Sequence, residues 1–351
     1  MEWKANEIVR RKSRQIKVGS VLVGGGAPIS VQSMTSTDTM DVAATVAQIK
    51  ALESAGADIV RVTVPTLKAV DAFEQIVKSV DVPIVSDIHF DYRIAIECAK
   101  KGAAALRINP GNIGSHEKIE AVCQAAKDYG LPIRVGVNAG SLDKDLIEKY
   151  GAPCPDAMVE AALRAATTLD DHNFEDYAFS VKASELNLCV SAYEQLAKKT
   201  DAGGLTGGTV LSSIGISWLL KQGIGDTLRV SLAADPVEEI KVGWAILKSM
   251  HLRTRGVEIV ACPTCGRRGI DVVATVAELE KRLSDIKETL KIAVMGCVVN
   301  GPGEALHADI AVCGAANDRC LVYEDGQMMG KIPCSEAVDL IEKRVRTRLD
   351  K

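Results

Sequence analysis

Short runs of β-branched residues alternate with amphipathic helical segments from residue 28 onward. The first run covers 29–34, and Val42, Val46 and Ile49 follow it at helical spacing. Such alternation generates a parallel sheet through right-handed crossovers. The runs that predict the other strands lie at 58–64, 83–88, 105–108, 133–138, 178–183 and 227–232.

The predicted strands are one short of a (β/α)8 barrel, and the gap lies between the strands near 181 and 230. Two helical patterns, at 185–199 and 210–221, are joined there only by the glycine-rich link 200–208. No strand pattern occupies the place of the seventh strand. We therefore expect an α/β fold with a TIM-like (β/α)8 barrel whose seventh strand is missing.

After 253–256 the pattern changes to that of a small α+β domain. Valines and isoleucines lead into Cys262, and Asp325-Gly326 marks the turn of a hairpin. We predict two domains, 1–254 and 255–351. The elements expected in the second are a helix over 271–289, strands over 291–295 and 308–312, a hairpin over 321–330 and a last helix over 335–349.

Composition limits the classes of function. The hydrophobic share of 47% is ample for a buried core, while 4% aromatic residues and a net charge of −4 argue against nucleic-acid binding. No run approaches the ~18 apolar residues of a membrane span. Residues 1–17 lack the apolar core of a signal peptide, so the ten cysteines indicate a reducing cytoplasm, with no membrane partner.

Basic and amide side chains lie within or just after most predicted strands. The active site of a parallel barrel forms at the carboxyl ends of its strands, and burying an unpaired charge is costly, so these groups should converge on an anion. Guanidinium groups suit phosphate oxygens, which favours a diphosphate or bisphosphate; pairing of single cations with carboxylates inside the barrel is the alternative. The residues are Arg61, Asp87, His89, Arg107, Asn109, Arg134, Asn138, Lys182, Arg229 and Ser231.

Three cysteines and a glutamate form a second candidate site. Two residues separate Cys262 from Cys265, 31 separate Cys265 from Cys297, and six separate Cys297 from Glu304. Three thiolates and one carboxylate suit iron and sulfide with one weak ligand. The tight turn at 300–304 lets the backbone approach a bulky cofactor and returns an acid to the same place.

A structural zinc site is the main alternative for these cysteines, and a redox dithiol is another. Zinc would need a fourth ligand, for which His307 and Cys313 are imperfectly placed. The remaining cysteines are predicted to be small core fillers. They are Cys98, Cys123, Cys154, Cys189, Cys313, Cys320 and Cys334.

The segments ACPTCGR at 261–267 and GCVVNGPGEA at 296–305 resemble those of the bacterial two-domain 4-hydroxy-3-methylbut-2-en-1-yl diphosphate synthases. The likeness continues through VQSMT, NPGNIG and GIGDTLRVSL and covers nearly the whole chain. It implies a TIM-like barrel joined to a [4Fe-4S] domain with Cys262, Cys265, Cys297 and Glu304 as ligands. It also implies a homodimer in which the cluster domain of one subunit closes over the barrel of the other.

The resemblance further implies the reductive opening of 2-C-methyl-D-erythritol 2,4-cyclodiphosphate to (E)-4-hydroxy-3-methylbut-2-enyl diphosphate in the non-mevalonate isoprenoid pathway. This oxidoreductase reaction takes two electrons from flavodoxin or ferredoxin. The predicted catalytic residues are Asp87, His89 and Glu304. Matching motifs assign substrate binding to Arg61, His89, Arg107, Arg134, Asn138, Lys182, Arg229 and Ser231.

The chain departs from the family pattern at one place. The family's seventh strand ends in a Gly-x-Thr-Glu-Ala-Gly type motif, whose glutamate acts as an acid near the substrate. Here Asp201 runs directly into Ala202, which predicts a deletion of about nine residues, with Asp201 as an alternative acid. Two other functions therefore stay open: an impaired or non-catalytic homologue that keeps both sites, and a phosphosugar lyase or isomerase with a structural zinc domain.

Overall fold

The computed structural model describes residues 8–109, 113–114, 116–183, 186–199, 209–262, 265 and 268–350. The chain divides into two compact units, Met1–Arg253 and Thr254–Lys351. We call them the N-terminal unit and the C-terminal unit.

The N-terminal unit begins with a short antiparallel hairpin that sequence patterning missed, formed by β1 (Ile16–Val18) and β2 (Val21–Val23). Its apolar side chains pack against Ile59, Val85 and Ala105, near the amino ends of three strands of the main sheet. The hairpin therefore covers the amino end of the sheet, which leaves the carboxyl ends of the strands for a site.

The main sheet is parallel, and within the described residues it has seven strands in the order β8-β7-β6-β5-β4-β3-β9. Most of its strand residues are buried, as expected for a parallel sheet covered by helices. The strands are β3 (Ser30–Met34), β4 (Ile59–Thr63), β5 (Ile84–Asp87), β6 (Ala105–Ile108), β7 (Ile133–Asn138), β8 (Tyr177–Lys182) and β9 (Thr227–Leu228).

Helices follow the strands as the sequence predicted. The Asp41 side chain caps the first helix by accepting from the Ala44 N–H at 3.0 Å, and Gly56 ends it in the left-handed conformation with φ 103°. The helices are α1 (Val42–Ala55), α2 (Ala69–Lys78), α3 (Tyr92–Lys100), α4 (His116–Tyr129), α5 (Lys144–Tyr150), α6 (Pro155–Asp171), α7 (Leu186–Lys199), α8 (Thr209–Lys221) and α9 (Pro236–Ser249).

The described part of the chain contains no strand between β8 and β9, while the link 200–208, where the gap is predicted, lies outside it. Helices α7 and α8 occupy that interval, and Asp201 with its glycine-rich link lies outside the described residues. The prediction of a strand over 227–232 was wrong in length, because β9 pairs only with β3 and only at Thr227 and Leu228. Ser231 therefore lies beyond the sheet.

The C-terminal unit is built on a sheet with the order β10-β11-β12-β13-β14, parallel between the first three strands and antiparallel thereafter. Its core lies between this sheet and the two longer helices. The elements are β10 (Val257–Ala261), α10 (Val272–Arg282), β11 (Leu290–Met295), α11 (Gly301–Ala305), β12 (Ile310–Ala315), β13 (Arg319–Glu324), β14 (Gln327–Pro333) and α12 (Ala337–Leu349).

The helix predicted over 271–289 is shorter than expected. It ends at Arg282, where the Ser284 hydroxyl donates to the Lys281 carbonyl at 2.9 Å and closes the last turn. Ile286 then turns back into the core, so the following residues cannot continue the helix. Across both units, no helix of the described residues is long and apolar enough to cross a membrane.

Candidate active site and cysteine cluster

Buried ion pairs link three strands inside the main sheet. Strand register places Asp87, Arg107 and Arg134 side by side on β5, β6 and β7. Arg107 Nη1 donates to Asp87 Oδ1 at 3.0 Å, and Arg61 Nε lies 3.5 Å from Asp87 Oδ2. The side chains of Asp87, Arg107 and Arg61 are only 2%, 8% and 12% exposed. Asp87 therefore holds two buried guanidinium groups in place.

We call the four arginines Arg61, Arg107, Arg134 and Arg229 the arginine layer, and the pKa is lowered for Arg61, Arg134 and Arg229, mainly by burial. Burial lowers the pKa of Arg61 to about 9; Asp87 opposes this shift, and the three other arginines add to it. Burial likewise lowers the pKa of Arg134 to about 10, and burial lowers the pKa of Arg229 although nearby acids oppose the shift. The positive charge of this layer is thus held at a cost in free energy.

Sequence reasoning missed two polar residues next to this layer, the acid Glu239 and the neutral amide Gln32. Glu239 on α9 is 7% exposed, accepts from the Ser33 hydroxyl at 2.8 Å and from the Leu232 N–H at 3.1 Å, and raises the pKa of Arg229. Gln32 accepts from Arg134 Nη1 at 3.1 Å. Glu239 could have been found as an acid on the buried face of its helix, which also carries Ile240 and Gly243.

Even with Asp87 and Glu239, the four arginines leave an excess of two positive charges. Three buried donors of this layer and its neighbour Gln32 have no hydrogen-bond acceptor among the described residues. They are Arg107 Nε, Arg229 Nε and Gln32 Nε2. Buried donors without acceptors are costly. An anionic ligand would supply both the missing charge and the missing acceptors.

Gly136 on β7 makes room for Arg107. A Cβ atom on this glycine would lie 2.6 Å from Arg107 Nε and 2.7 Å from Arg107 Cζ, closer than real contacts allow. The guanidinium thus rests directly on the backbone of the neighbouring strand. A glycine inside a strand was the sequence signal for such close approach.

The remaining predicted residues lie at the carboxyl ends of the strands, above the arginine layer. Asn138 and Lys182 are the last residues of β7 and β8 and are partners in register. His89 follows two residues after Asp87, half-buried, and Ser231 lies just past β9, also half-buried. Arg134 differs from the sequence expectation, because it is the second residue of β7 and so lies deep in the sheet rather than at a strand end. Asn109 is buried directly after β6.

In the C-terminal unit, Cys262 and Cys297 follow two neighbouring parallel strands, β10 and β11. The Gly296 N–H donates to the Cys262 sulfur at 3.0 Å, and the same glycine accepts from the Gly269 N–H at 2.7 Å. Hydrogen bonds from backbone N–H groups to cysteine sulfur are one means by which proteins stabilise thiolates that bind iron–sulfur clusters. Cys297 is half-buried and Cys265 is exposed.

Glu304 lies on the short helix α11, which brings the chain back after Cys297, and its side chain is exposed. The helix packs tightly on the sheet, since a Cβ on Gly301 would lie 2.8 Å from Cys313 Cβ. Among the described residues, no group of three or more histidine, cysteine or acidic side chains is arranged to hold a metal. Residues 263, 264, 266 and 267, which flank Cys265, lie outside the described part. Three thiols and a carboxylate are donor types that iron–sulfur clusters take, but the described residues do not bring them together around one point.

Five of the seven other cysteines are buried, as predicted for core fillers, whereas Cys154 and Cys334 are only half-buried. Burial raises the pKa of Cys98 and Cys313 to about 12 in each case. Without a metal nearby, burial thus disfavours the thiolate form of these two cysteines.

Family models match both units. The GcpE TIM-barrel domain matches residues 13–244, and the GcpE protein C-terminal domain matches residues 258–347. The chain belongs to the GcpE family. The predicted barrel domain followed by a separate C-terminal domain is thereby confirmed at the level of the family.

Curated relatives in this family are similar over almost their whole length. A protein of Acidithiobacillus ferrooxidans is 55% identical, with 97% of this chain and 96% of the relative covered. One of Chromohalobacter salexigens is 56% identical, with 97% and 94% covered. Both are named 4-hydroxy-3-methylbut-2-en-1-yl diphosphate synthase (flavodoxin). Among solved structures, dihydropteroate synthase of Yersinia pestis is 13% identical over 68% of this chain and 98% of its own, with a TM-score of 0.49.

Proposed function

We propose that this chain catalyses the reductive ring opening of 2-C-methyl-D-erythritol 2,4-cyclodiphosphate to (E)-4-hydroxy-3-methylbut-2-enyl diphosphate, as an iron–sulfur oxidoreductase of isoprenoid biosynthesis. The name and near-complete coverage of the relatives support this reaction. The observation that carries the proposal is the arginine layer, which holds two more positive than negative charges beneath the strand ends. A cyclic diphosphate matches that excess.

The substrate diphosphate is bound in two levels. Arg61, Arg107, Arg134 and Arg229 supply the deep positive charge, and the Nε donors of Arg107 and Arg229 have no acceptor among the described residues. His89, Asn138, Lys182 and Ser231 supply donors at the carboxyl rim. Guanidinium groups held rigidly by Asp87 need no reorganisation when the anion arrives, which favours tight binding and correct orientation of the ring.

Asp87 acts in this proposal by positioning the two arginines rather than by transferring a proton. Its two carboxylate oxygens face Arg107 and Arg61, at 3.0 and 3.5 Å. His89, two residues further on and half-buried, is the titratable group of this strand end that remains for proton transfer. The family glutamate of the seventh strand has no counterpart among the described residues, so His89 carries more of that role here.

A [4Fe-4S] cluster is held by Cys262, Cys265, Cys297 and Glu304 in the C-terminal unit. When bound, the cluster supplies electrons one at a time and an iron that binds oxygen. The Gly296 N–H bonded to Cys262 sulfur stabilises that ligand as a thiolate. Glu304 is exposed on the short helix α11 and would be the weak ligand of the set, a carboxylate among thiolates.

The active form is a homodimer that takes two electrons from flavodoxin or ferredoxin. Val298, Val299 and Leu306 are 46%, 61% and 64% exposed beside Cys297 and Glu304. Exposed apolar side chains around a reactive group indicate a surface that is covered on association. The name of the relatives supports flavodoxin as the donor.

A short deletion accompanies this activity. Asp201 runs directly into Ala202 at the place where the family pattern carries the Gly-x-Thr-Glu-Ala-Gly type motif, which supports the deletion proposed for the seventh strand. The absence of this strand is expected to lower the turnover rate more than the affinity for substrate.

Anaerobic purification followed by iron, sulfide and zinc analysis and a turnover assay on the cyclodiphosphate tests the proposal. We expect iron and labile sulfide near four each per chain, and product formation with a reduced low-potential donor. Cys297→Ser should lose iron, whereas the matched control Cys154→Ser, a half-buried cysteine of the N-terminal unit, should keep it. Zinc without sulfide would refute the cluster, and an intact cluster with substrate binding but no turnover would identify an impaired homologue.

A further inference from the structure

Two cysteine thiols of the C-terminal unit lie next to each other. Cys320 on β13 is fully buried, Cys334 follows β14 and is half-buried, and their sulfur atoms are 2.7 Å apart. Ile332 is the partner of Cys320 in register, so Cys334, two residues later, lies on the same face of the hairpin. The Cys334 N–H bonds to the Asp318 carbonyl at 3.0 Å, which fixes this approach.

The two thiols differ in access to solvent. Cys334 lines an open groove of about 700 Å³ together with Arg268, Asp271, Asn317 and Asp318, whereas Cys320 is buried. Burial, together with the hydrogen bond that Cys320 donates to Cys334, raises the pKa of Cys320. A small disulfide can therefore reach Cys334 first, and only a sulfur already attached to Cys334 can reach Cys320.

We propose that Cys320 and Cys334 form a reversible disulfide, a redox-sensitive site separate from the cluster ligands. With a low-molecular-weight disulfide as oxidant, the Cys334 thiolate attacks one sulfur and releases one thiol, forming a mixed disulfide. Cys320 then loses its proton and attacks the Cys334 sulfur, which releases the second thiol. Both protein thiols are oxidised and the small disulfide is reduced to two thiols, so atoms and electrons balance. The short sulfur–sulfur distance means that little backbone movement is needed.

This site connects to the loop that carries Cys262. Cys334 Sγ donates to the Gly269 carbonyl at 3.3 Å, Gly269 N–H donates to the Gly296 carbonyl at 2.7 Å, and Gly296 N–H donates to Cys262 Sγ at 3.0 Å. Gly269 packs closely on the backbone of Ala315, since a Cβ there would lie 2.9 Å from the Ala315 nitrogen. Oxidation removes the S–H donor at the first step of this chain of hydrogen bonds. The effect on Cys262 depends on the cluster of the proposed function, whereas formation of the disulfide does not.

Peptide mapping of the full chain tests the disulfide. The anaerobically purified protein is incubated with glutathione disulfide, blocked with an alkylating agent and digested without reductant. We expect the Cys320–Cys334 cross-link in about tenfold excess over any other pair that contains either cysteine, because the two sulfurs are preorganised, and complete reversal by dithiothreitol. In Cys334→Ser, Cys320 should stay reduced. A stable glutathione adduct on Cys334 beside a free Cys320, or unreacted Cys334, would overturn the proposal.

The link to Cys262 is tested by two matched variants without oxidant. Cys334→Ser keeps a donor for the Gly269 carbonyl, whereas Cys334→Ala lacks one. Iron release from the holoprotein to a chelator should be faster in the alanine variant by a factor of about 2 to 10, the worth of one hydrogen bond. Equal rates in the two variants would overturn the link. Failure to purify an iron-containing protein would instead count against the proposed function, since mapping of the disulfide needs no iron.

Discussion

Alanine in place of Gly136 should displace the Arg107 guanidinium and so disable the arginine layer. The added methyl group would lie 2.6 Å from Arg107 Nε and 2.7 Å from Arg107 Cζ, whereas ordinary contacts begin near 3.4 Å. Both strands are buried and fixed by register, so the side chain must move rather than the backbone. Movement takes Arg107 away from Asp87, to which it donates at 3.0 Å.

The cost has two parts. Overpacking a closed interior costs about 1–3 kcal/mol, and breaking a buried ion pair costs about 3–5 kcal/mol when one partner is left without compensation. Because Arg107 can retain part of its interaction by a shift of rotamer, we expect the free energy of unfolding to fall by about 2–4 kcal/mol. Loss of a charge-assisted contact should weaken pyrophosphate binding by about 10- to 100-fold.

Urea denaturation and calorimetric titration with pyrophosphate measure both effects. Gly140→Ala is the matched control, because Gly140 lies shortly after the same strand, its φ is not in the left-handed region, and a Cβ there meets nothing within 4 Å. Arg107→Ala removes the group that the methyl strikes, so Gly136→Ala should cost little more in that background. Equal losses in Gly136→Ala and Gly140→Ala, or additive losses with Arg107→Ala, would refute the steric argument.

Three further predictions concern the charges and the edge of the main sheet. Glu239→Gln replaces the buried carboxylate that accepts from the Leu232 N–H at 3.1 Å by a neutral amide. The free energy of unfolding, measured by urea denaturation, should fall by about 1–3 kcal/mol. An unchanged urea midpoint would contradict the stabilising role of the Glu239 charge. Because the pKa of Arg61 is lowered to about 9, its charge is present below that pH and lost above it, so pyrophosphate affinity should fall as the pH rises from about 8 to about 10. The control variant Arg61→Gln should bind pyrophosphate weakly, with little dependence on pH. An equal fall in affinity in that variant would show that another group causes the effect. Insertion of the missing strand between Asp201 and Ala202 should raise turnover and thermal stability, and no gain in either would refute the deletion hypothesis.

Local pattern was enough to locate most elements of the N-terminal unit. The strand predicted over 133–138 is observed as Ile133–Asn138, and Val42, Val46 and Ile49, noted for their helical spacing, lie on the helix Val42–Ala55. These features depend on neighbours in the chain, which a sequence displays directly. The strand over 227–232 failed because its length depends on pairing partners, which are decided elsewhere in the fold.

The site divides in the same way. The sequence alone determined which chemical groups are present: arginines within or just after several strands, and three cysteines and a glutamate within 262–304. Only the tertiary structure decided how the charges of these groups balance. It placed Asp87 between two arginines, brought Glu239 from α9 into the layer and set Gly136 beneath Arg107. It also brought Cys320 and Cys334 together across a hairpin. Charge balance and close approach depend on distances between residues far apart in the chain, and such distances exist only once the chain has folded.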